Sequence, residues 1–371
     1  MKRYGWLLGC CLFLSIGMLW AADEPDLRML QQKAAQSRDM EGYVGVCKYL
    51  YQTEENPELL LLYADSIHQL ATKSKKPEQL VEYYIWASEG NFIKGDFQQG
   101  YALKRKAIAL AEKAGLKFAI SQSCCDMGYY CNVDARYDSA RYYFRKGLEA
   151  GEDLSEAGEA CRTMLTNYAS SFLFEGKTDS ALVYTIRASE RSAADKDTAM
   201  LIENLNQLGT IYRRKKNLEN CIANFEQALH LCELRGNHNA VAFIYGYIAT
   251  AYCDWNRPVD AIPFSEKAVE YALKTGNKRR IGTCYVNLGA IQIRLVQMRA
   301  EGIATLLKAI PILEEVNDRR LLCDAYNYLV NAYRMDGNLN QAMYYLQKLD
   351  KLAHEMQTDA ERFRYYQAKA S

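Results

Sequence analysis

The sequence predicts an all-α fold, an α-solenoid of antiparallel helical hairpins, and three observations carry this prediction. One helical signature recurs seven times with a nearly constant period, at the register positions Ser88, Gly128, Ala169, Gly209, Ala249, Gly289 and Val330. Within the units, apolar residues are spaced three and four apart, which places them on one face of a helix. No Pro-, Gly- or Ser-rich linker interrupts the 371 residues, which favours one elongated body over two separate domains.

The first 22 residues differ from the rest of the chain. Lys2 and Arg3 precede an uncharged stretch from Tyr4 to Ala22, and acidic residues follow at once. This order predicts a secretory signal peptide over residues 1–22. The apolar stretch is just short of the ~20 residues of a spanning helix, so an uncleaved N-terminal anchor is the second interpretation, and the lipoprotein-like Leu7-Leu8-Gly9-Cys10 suggests a third. In each case the protein is expected to be exported, periplasmic or associated with the cell envelope.

Residues 23–80 are predicted to form N-terminal helices. A capping helix is expected first, followed by a degenerate hairpin over residues 38–73 that keeps the same register. The seven repeats then occupy residues 81–357. The segment 358–371 is rich in Arg, Glu and Gln, and it predicts a C-terminal capping helix because the ends of such arrays need a polar cover.

The fourth repeat shows how one hairpin is built. Its two helices carry one apolar stripe each, formed by Leu205, Leu208, Gly209 and Tyr212 and then by Cys221, Phe225 and Ala228. Residues 215–217 interrupt the apolar pattern and predict a short turn, so the two helices pack antiparallel. Gly209 is expected to let the second helix approach closely.

These residues resemble the tetratricopeptide repeat, in which Leu-Gly and Tyr mark the first helix, here called helix A, and Ala, an aromatic residue and Ala mark the second, helix B. The resemblance covers residues 81–357. The units have a period of about 40 rather than the family's ~34, which is similar to the longer variants of this repeat. The resemblance implies a right-handed superhelix whose inner surface is lined by helices A and holds an extended peptide or a partner's helix.

Several positions depart from the family's pattern. Cys221 replaces Ala, Ser265 replaces the aromatic residue of helix B, and Gln292 replaces Tyr. The first repeat is weak, with Ser88 and Lys104 in register. The Lys/Asn clamp with which chaperone-binding members hold a C-terminal carboxylate is not reproduced, so that partner is not implied.

The candidate binding surface consists of helix-A positions that are expected to face the inner surface. Two helices present a similar polar triplet at i, i+4 and i+7, namely Asn206, Thr210 and Arg213, and then Asn327, Asn331 and Arg334. Asn can bond to a peptide backbone and Arg can bind a carboxylate. The positions between them form a smoother floor: Gly246, Thr250, Cys253, Val286, Ala290 and Ile293. We hypothesise two clamps for an extended, partly acidic peptide; an ordinary solvated surface is the alternative.

The sequence shows little sign of catalysis or of cofactor binding. It contains four His residues and no Gly-rich phosphate loop, Cys-x-x-Cys or Gly-x-Ser-x-Gly motif, so neither an enzymatic activity nor a cofactor is expected. His230 and Cys232, with His238 nearby, could suggest a metal site, but positions two apart face different sides of a helix. The 46 basic and 45 acidic residues nearly cancel, which argues against nucleic acid as a partner.

Cysteine and tyrosine are numerous, and the register gives both a packing role. Ten Cys follow the predicted signal, and they are expected to be mainly buried thiols, with disulfides between neighbouring repeats as the alternative. Many of the 28 Tyr stand at interior register positions, which leaves glycan binding by ring stacking as a weaker alternative. One residue of each adjacent pair should be exposed in Tyr129-Tyr130, Tyr142-Tyr143 and Tyr344-Tyr345.

Two functional classes follow from these observations. The first is a non-enzymatic scaffold of the bacterial cell envelope that binds a protein or peptide and touches the membrane only through an N-terminal anchor. The second is the extracytoplasmic sensor region of a signalling or transcriptional regulator with tetratricopeptide repeats. No second apolar span follows residue 22, which favours the scaffold if the chain is complete.

Overall fold

The computed structural model describes residues 27–53 and 56–354. The predicted signal peptide or anchor at 1–22 and the predicted C-terminal capping helix at 358–371 lie outside these residues. The chain divides into two compact units, Met1–Met200 and Leu201–Ser371, here called unit 1 and unit 2. Within the described part of the chain, no helix is both long and apolar enough to cross a bilayer.

Seventeen α-helices make up the described residues, which contain no β-strand. They are α1 Leu27–Ser37, α2 Met40–Thr53, α3 Pro57–Ser74, α4 Pro77–Lys94, α5 Phe97–Ala114, α6 Lys117–Val133, α7 Tyr137–Gly151, α8 Gly158–Phe174, α9 Thr178–Ala194, α10 Thr198–Arg214, α11 Leu218–Leu234, α12 His238–Asp254, α13 Pro258–Thr275, α14 Lys278–Arg294, α15 Arg299–Glu315, α16 Arg319–Met335 and α17 Leu339–His354. Pairs of similar length joined by short turns recur from α4 onward. The all-α hairpin fold predicted from the sequence is therefore confirmed.

The turns within the hairpins use side-chain caps and left-handed backbone. In the fourth repeat Lys216 has φ 55°, and the Asn217 side chain caps α11 by accepting a hydrogen bond from the Asn220 N–H at 3.0 Å. In the last hairpin Gly337 has φ 72°, and Asn338 accepts from the Gln341 N–H at 3.2 Å. Such caps satisfy N–H groups that have no partner inside the helix, and so each of these helices begins at a defined residue.

Glycine on helix A and an aromatic ring on helix B pack together, as predicted. A Cβ added at Gly209 would lie 2.6 Å from Cε1 of Phe225, and a Cβ at Gly128 would collide with the ring of Phe144. Both rings are buried. The missing side chain therefore makes room for the ring of the opposite helix.

The departures from the repeat pattern are also accommodated inside the hairpins. Ser265 and Gln292 are 1% exposed, and the Gln292 amide oxygen accepts a hydrogen bond from the Thr305 hydroxyl at 2.8 Å. In the first repeat, the side chain of Lys104 is completely buried at the position that Phe144 and Phe225 occupy elsewhere. This repeat folds as the hairpin α4–α5 although its sequence pattern is weak.

The ten described Cys are all free thiols, and nine are buried, as the packing prediction requires. Burial raises the pKa of Cys47 to about 12, and Cys253 is the described thiol that is partly exposed. Of the tyrosine pairs, Tyr142 and Tyr344 are exposed, as predicted. The prediction is wrong for Tyr129-Tyr130, where both are half-buried; Tyr130 stacks on Phe92 with the ring centroids 3.6 Å apart.

Candidate functional site

The candidate site is the helix-A surface of unit 2, carried by α10, α12, α14 and α16. The three register positions of the predicted surface fall on each of these four helices, once per period of the array. Spacing of i, i+4 and i+7 keeps each triplet on one helix face. The structure gives each residue a defined exposure and set of partners.

On α10, Asn206, Thr210 and Arg213 are half-buried. The Thr210 hydroxyl donates to the backbone carbonyl of Asn206 at 3.0 Å, so its proton is used inside the helix. The Oδ1 atom of Asn206 is buried and accepts no hydrogen bond from the described residues. An unpaired buried acceptor costs about 1–3 kcal/mol.

On α16, the Asn327 and Asn331 side chains contact each other, and the Asn331 amide donates to Oδ1 of Asn327 at 3.3 Å. Asn331 is half-buried, and Arg334 is exposed. The two amides of the second triplet are thus joined to each other. Its role in binding remains a prediction.

The floor between the triplets is different from the predicted one. Val286 and Ile293 are 2% and 5% exposed because they pack into the core beside Leu306 of the opposite helix. They do not present a surface, so the expectation of a continuous apolar floor is wrong at these two positions. Ala290 is half-buried and remains part of the surface.

The α12 part of the floor is open. A Cβ placed on Gly246 would meet no atom within 4 Å, and the Thr250 side chain is exposed while donating to the Gly246 carbonyl at 2.8 Å. Cys253 is half-buried, and burial raises the pKa of its thiol while Arg294 opposes the shift. This stretch of helix therefore leaves unfilled space above its backbone.

Asp254, the last residue of α12, was not among the site residues predicted from the sequence. Its Oδ2 lies 3.5 Å from Nε of Arg213, and the side chains of Asp254 and Arg213 are 53% and 27% exposed respectively. A signal was present in the sequence, since Asp254 follows Arg213 by just over one period of the array. The cation of the first triplet is thus paired within the protein.

A second polar cluster that the sequence did not predict lies in unit 1. The buried Lys104 ammonium of α5 donates to Glu89 of α4 and to Oδ2 of Asp126 of α6 at 3.0 Å. The Tyr130 hydroxyl donates to the other oxygen of Glu89 at 2.7 Å. We call these four residues the Lys104 cluster.

Burial and pairing act against each other in the Lys104 cluster. Burial alone would lower the pKa of Lys104, but the carboxylates of Asp126 and Glu89 outweigh it and raise that pKa. Burial raises the pKa of Glu89, with Lys104 opposing the shift and Asp126 adding to it. Since both oxygens of Glu89 and the ammonium already have partners, the cluster joins two successive hairpins and leaves little room for a ligand.

The side chains that could suggest a metal do not converge. Cys232 is buried, whereas His230 and His238 are exposed, so the different-sides prediction for 230 and 232 is confirmed. In the part of the chain that the structure describes, no group of three His, Cys, Asp or Glu is arranged to hold a metal ion.

Comparisons with known proteins agree with the repeat architecture. Residues 198–274, which span α10 to α13, match the tetratricopeptide repeat family. No curated protein sequence matches the chain significantly. The fold of the apo form of RapI matches with a TM-score of 0.54 and 12% identity, over 74% of this chain and 97% of that one. The apo form of the quorum sensor NprR from B. thuringiensis matches with a TM-score of 0.55 and 15% identity, over 88% and 92%.

Yeast Tom70 has a similar fold as well, with a TM-score of 0.54 and 16% identity over 95% of this chain and 66% of that one. These identities are low, so the structural matches show the fold alone. Residues 198–274 thus match the tetratricopeptide repeat family, and the structural matches show the same kind of helical-hairpin fold over most of the chain. Its repeats are of the long kind described above, and the match supports a role in protein interaction.

Proposed function

We propose that this protein is a non-enzymatic scaffold that binds an extended, partly acidic segment of a partner protein on the helix-A surface of unit 2. The proposal rests on two features of this surface: a hydrogen-bond acceptor without a partner at Asn206, and open space above Gly246. Oδ1 of Asn206 is buried without a partner among the described residues, and Gly246, at the same register position one repeat later, has nothing above it. A bound main chain would fill the space, and its N–H would pair with Oδ1 once the half-buried Asn206 amide rotates to expose that atom.

Gly246 has no packing reason to be glycine. Glycine in the interior of a helix costs roughly 0.5–1 kcal/mol relative to alanine. That cost is explained at Gly209, where a Cβ would lie 2.6 Å from a ring carbon of Phe225, but a Cβ at Gly246 would meet nothing. The close approach of another backbone is one of the established uses of glycine, and it is the explanation that we adopt for Gly246.

Arg213 and Arg334 give the proposed segment its acidic character. Guanidinium groups bind carboxylates through paired, charge-assisted hydrogen bonds. The two residues belong to the first and last helix A of unit 2, so carboxylates at two separated points of the segment would be recognised. Between them the small residues Gly246 and Ala290 favour an extended main chain over a bulky helix.

The bacterial cell envelope is the proposed location. The charged start, the uncharged stretch to Ala22 and the acidic residues that follow support export. Interaction with the membrane would then be limited to a retained N-terminal anchor. Protease accessibility of the protein in spheroplasts, with and without membrane lysis, tests this location; digestion only after lysis would contradict it.

A sensor region of a longer regulator is the second candidate function. It is favoured by the similarity in fold to NprR, which is described as a quorum sensor. A sensor would also use the helix-A surface to bind its signal. Transcript mapping that shows an open reading frame extending past Ser371 would favour this candidate.

Comparative capture from native envelopes tests the binding proposal. Gly246→Trp fills the open space, and Gly45→Trp is a matched control because Gly45 is also a helical glycine with nothing within 4 Å of an added Cβ. We expect partners identified by mass spectrometry to be retained by the wild type and by the control and lost from Gly246→Trp. Equal capture by all three, or no reproducible partner, would contradict the proposal.

A further inference from the structure

We infer that Asp254 is an internal competitor for Arg213, occupying the guanidinium until a carboxylate of the bound segment displaces it. This inference rests on the proposed function and specifies how the same surface selects its ligand. It identifies the ligand chemistry at this point as a Glu or Asp side chain, or a chain-terminal carboxylate.

The geometry of the pair is that of an exchangeable contact. Arg213 Nε and Asp254 Oδ2 are 3.5 Å apart, longer than the roughly 2.7–2.9 Å of a charge-assisted hydrogen bond. Half of the Asp254 side chain is exposed, so it would leave for solvent at little desolvation cost. Exposed ion pairs of this kind contribute little to stability.

A firmly held arginine in unit 1 makes the contrast clear. Arg162 contacts Asp195 at 2.9 Å and Asp197 at 3.0 Å, and the three side chains are 17%, 28% and 25% exposed respectively. Two carboxylates thus hold that guanidinium at full hydrogen-bonding distance. Arg213 contacts its carboxylate through Nε at the longer distance of 3.5 Å, so it is the more available of the two cations.

The position of the pair links it to the proposed ligand. Arg213 lies two turns along the same face of α10 from Asn206, whose buried Oδ1 has no partner among the described residues. Asp254 lies two turns along α12 from the open Gly246, just beyond Cys253. A segment whose backbone passes Asn206 and Gly246 would bring a side chain to Arg213, where a carboxylate would compete directly with Asp254.

While Asp254 occupies the Arg213 guanidinium, a ligand carboxylate cannot bind there. The apparent affinity of the protein for the ligand is therefore reduced to the fraction of molecules in which Arg213 is free of Asp254. Asp254→Asn removes both the competitor and its repulsion of a ligand carboxylate. From the strength of exposed ion pairs, we expect acidic peptides to bind about two- to five-fold more tightly to this variant. The gain should shrink as the ionic strength rises.

The probe is a library of acetylated octapeptides in which every peptide with one Glu has a counterpart with Gln at that position. Binding to the full chain is measured for the wild type, Asp254→Asn, Arg213→Gln and the double variant. Asp260→Asn is the matched control, because Asp260 also pairs with an arginine, Arg257 at 2.6 Å, and its neutralisation changes the net charge equally. Gly246→Trp reports on the site itself.

The expected result is a two- to five-fold gain for Glu peptides in Asp254→Asn, no gain for their Gln counterparts, and no gain in Asp260→Asn. Arg213→Gln should abolish the gain in the double variant. If peptides bind in a Gly246-dependent manner and Asp254→Asn leaves the Glu/Gln preference unchanged or lowers it, the competitor role is overturned while the proposed function stands. If Gly246→Trp binds every peptide as the wild type does, or if no peptide binds, both are overturned.

Discussion

Replacing Lys104 with Met would test how the weakest repeat is held together. The substitution keeps the length of the side chain and removes the charge, leaving Glu89, which is 2% exposed, beside Asp126 without a cation. Removing one partner of a buried ion pair typically costs about 3–5 kcal/mol, because the remaining charge stays buried and uncompensated. We expect a loss of about that size at pH 8, measured by urea denaturation and followed by helical circular dichroism.

The loss should depend on pH in a defined direction. Burial already raises the pKa of Glu89, and Lys104 opposes that shift, so the substitution raises this pKa further. The unfolded chain has a Glu pKa of about 4.3, and the folded variant has a higher one. At a pH between these two pKa values, Glu89 is protonated in the folded chain and ionised in the unfolded chain. Folding then takes up a proton, and stability falls as the pH rises through that window.

The variant should therefore recover much of its stability between pH 8 and pH 5. Adding Glu89→Gln to Lys104→Met removes the buried charge, and the double variant should be more stable at pH 8 than Lys104→Met alone. A loss below about 1 kcal/mol at pH 8, or a loss that is the same at pH 5, would refute the assignment of Lys104 as the compensating charge.

Three further outcomes are expected. Gly246→Ala should stabilise the protein by about 0.5–1 kcal/mol, because the added Cβ meets nothing and only the helix penalty of glycine is removed. Gly209→Ala should destabilise it by about 1–3 kcal/mol, because the added Cβ would strike Phe225. Thermal melts that give both substitutions the same sign would contradict this. N-ethylmaleimide should modify Cys253 faster than the nine buried thiols. The rate should rise between pH 7 and pH 9, because the thiolate is the reactive form and burial holds the pKa of Cys253 above its ordinary value, so that little thiolate is present at pH 7. Peptide-level mass spectrometry measures the rates, and equal rates for all ten thiols would argue against the exposure of Cys253. Asp195 should titrate below the ordinary 3.8, because hydrogen bonds from two arginines lower its pKa. Its contribution to stability is therefore present above the pKa of the unfolded chain and is lost as the pH falls through the pKa of the folded chain. An NMR titration in which the Asp195 carboxyl signal has a pKa at or above 3.8 would refute the pairing.

The period of the array predicts most of the fold because it is carried by many positions at once. A single deviation such as Ser265 or Gln292 does not move a helix, since the other register residues still place it. The period could not predict what replaces the consensus contact. That Lys104 would be buried depends on carboxylates from two other helices, one of them in the next repeat, and no spacing rule within a repeat indicates that.

Helical spacing could assign each triplet to one helix face, but it could not predict the contacts of the individual side chains. Helical spacing places Asn206 and Arg213 on one face of α10, and both are half-buried there. The same spacing misplaces Val286, because it does not describe how closely the neighbouring hairpin packs. Asp254 follows the register position at Cys253 by one residue, so the spacing brings it near Arg213 but does not show that the two side chains form an ion pair. Contacts between repeats decide these details, and they depend on how successive hairpins pack.

The most direct test of the central claim is the alkylation rate of Cys253 in the purified protein, with and without the partner obtained by capture. Cys253 lies on the proposed surface and is partly exposed. The bound segment should slow its reaction at least several-fold, while a thiol introduced by Gly45→Cys, outside the surface, keeps its rate. An unchanged rate at Cys253 while the partner is bound would show that binding takes place elsewhere.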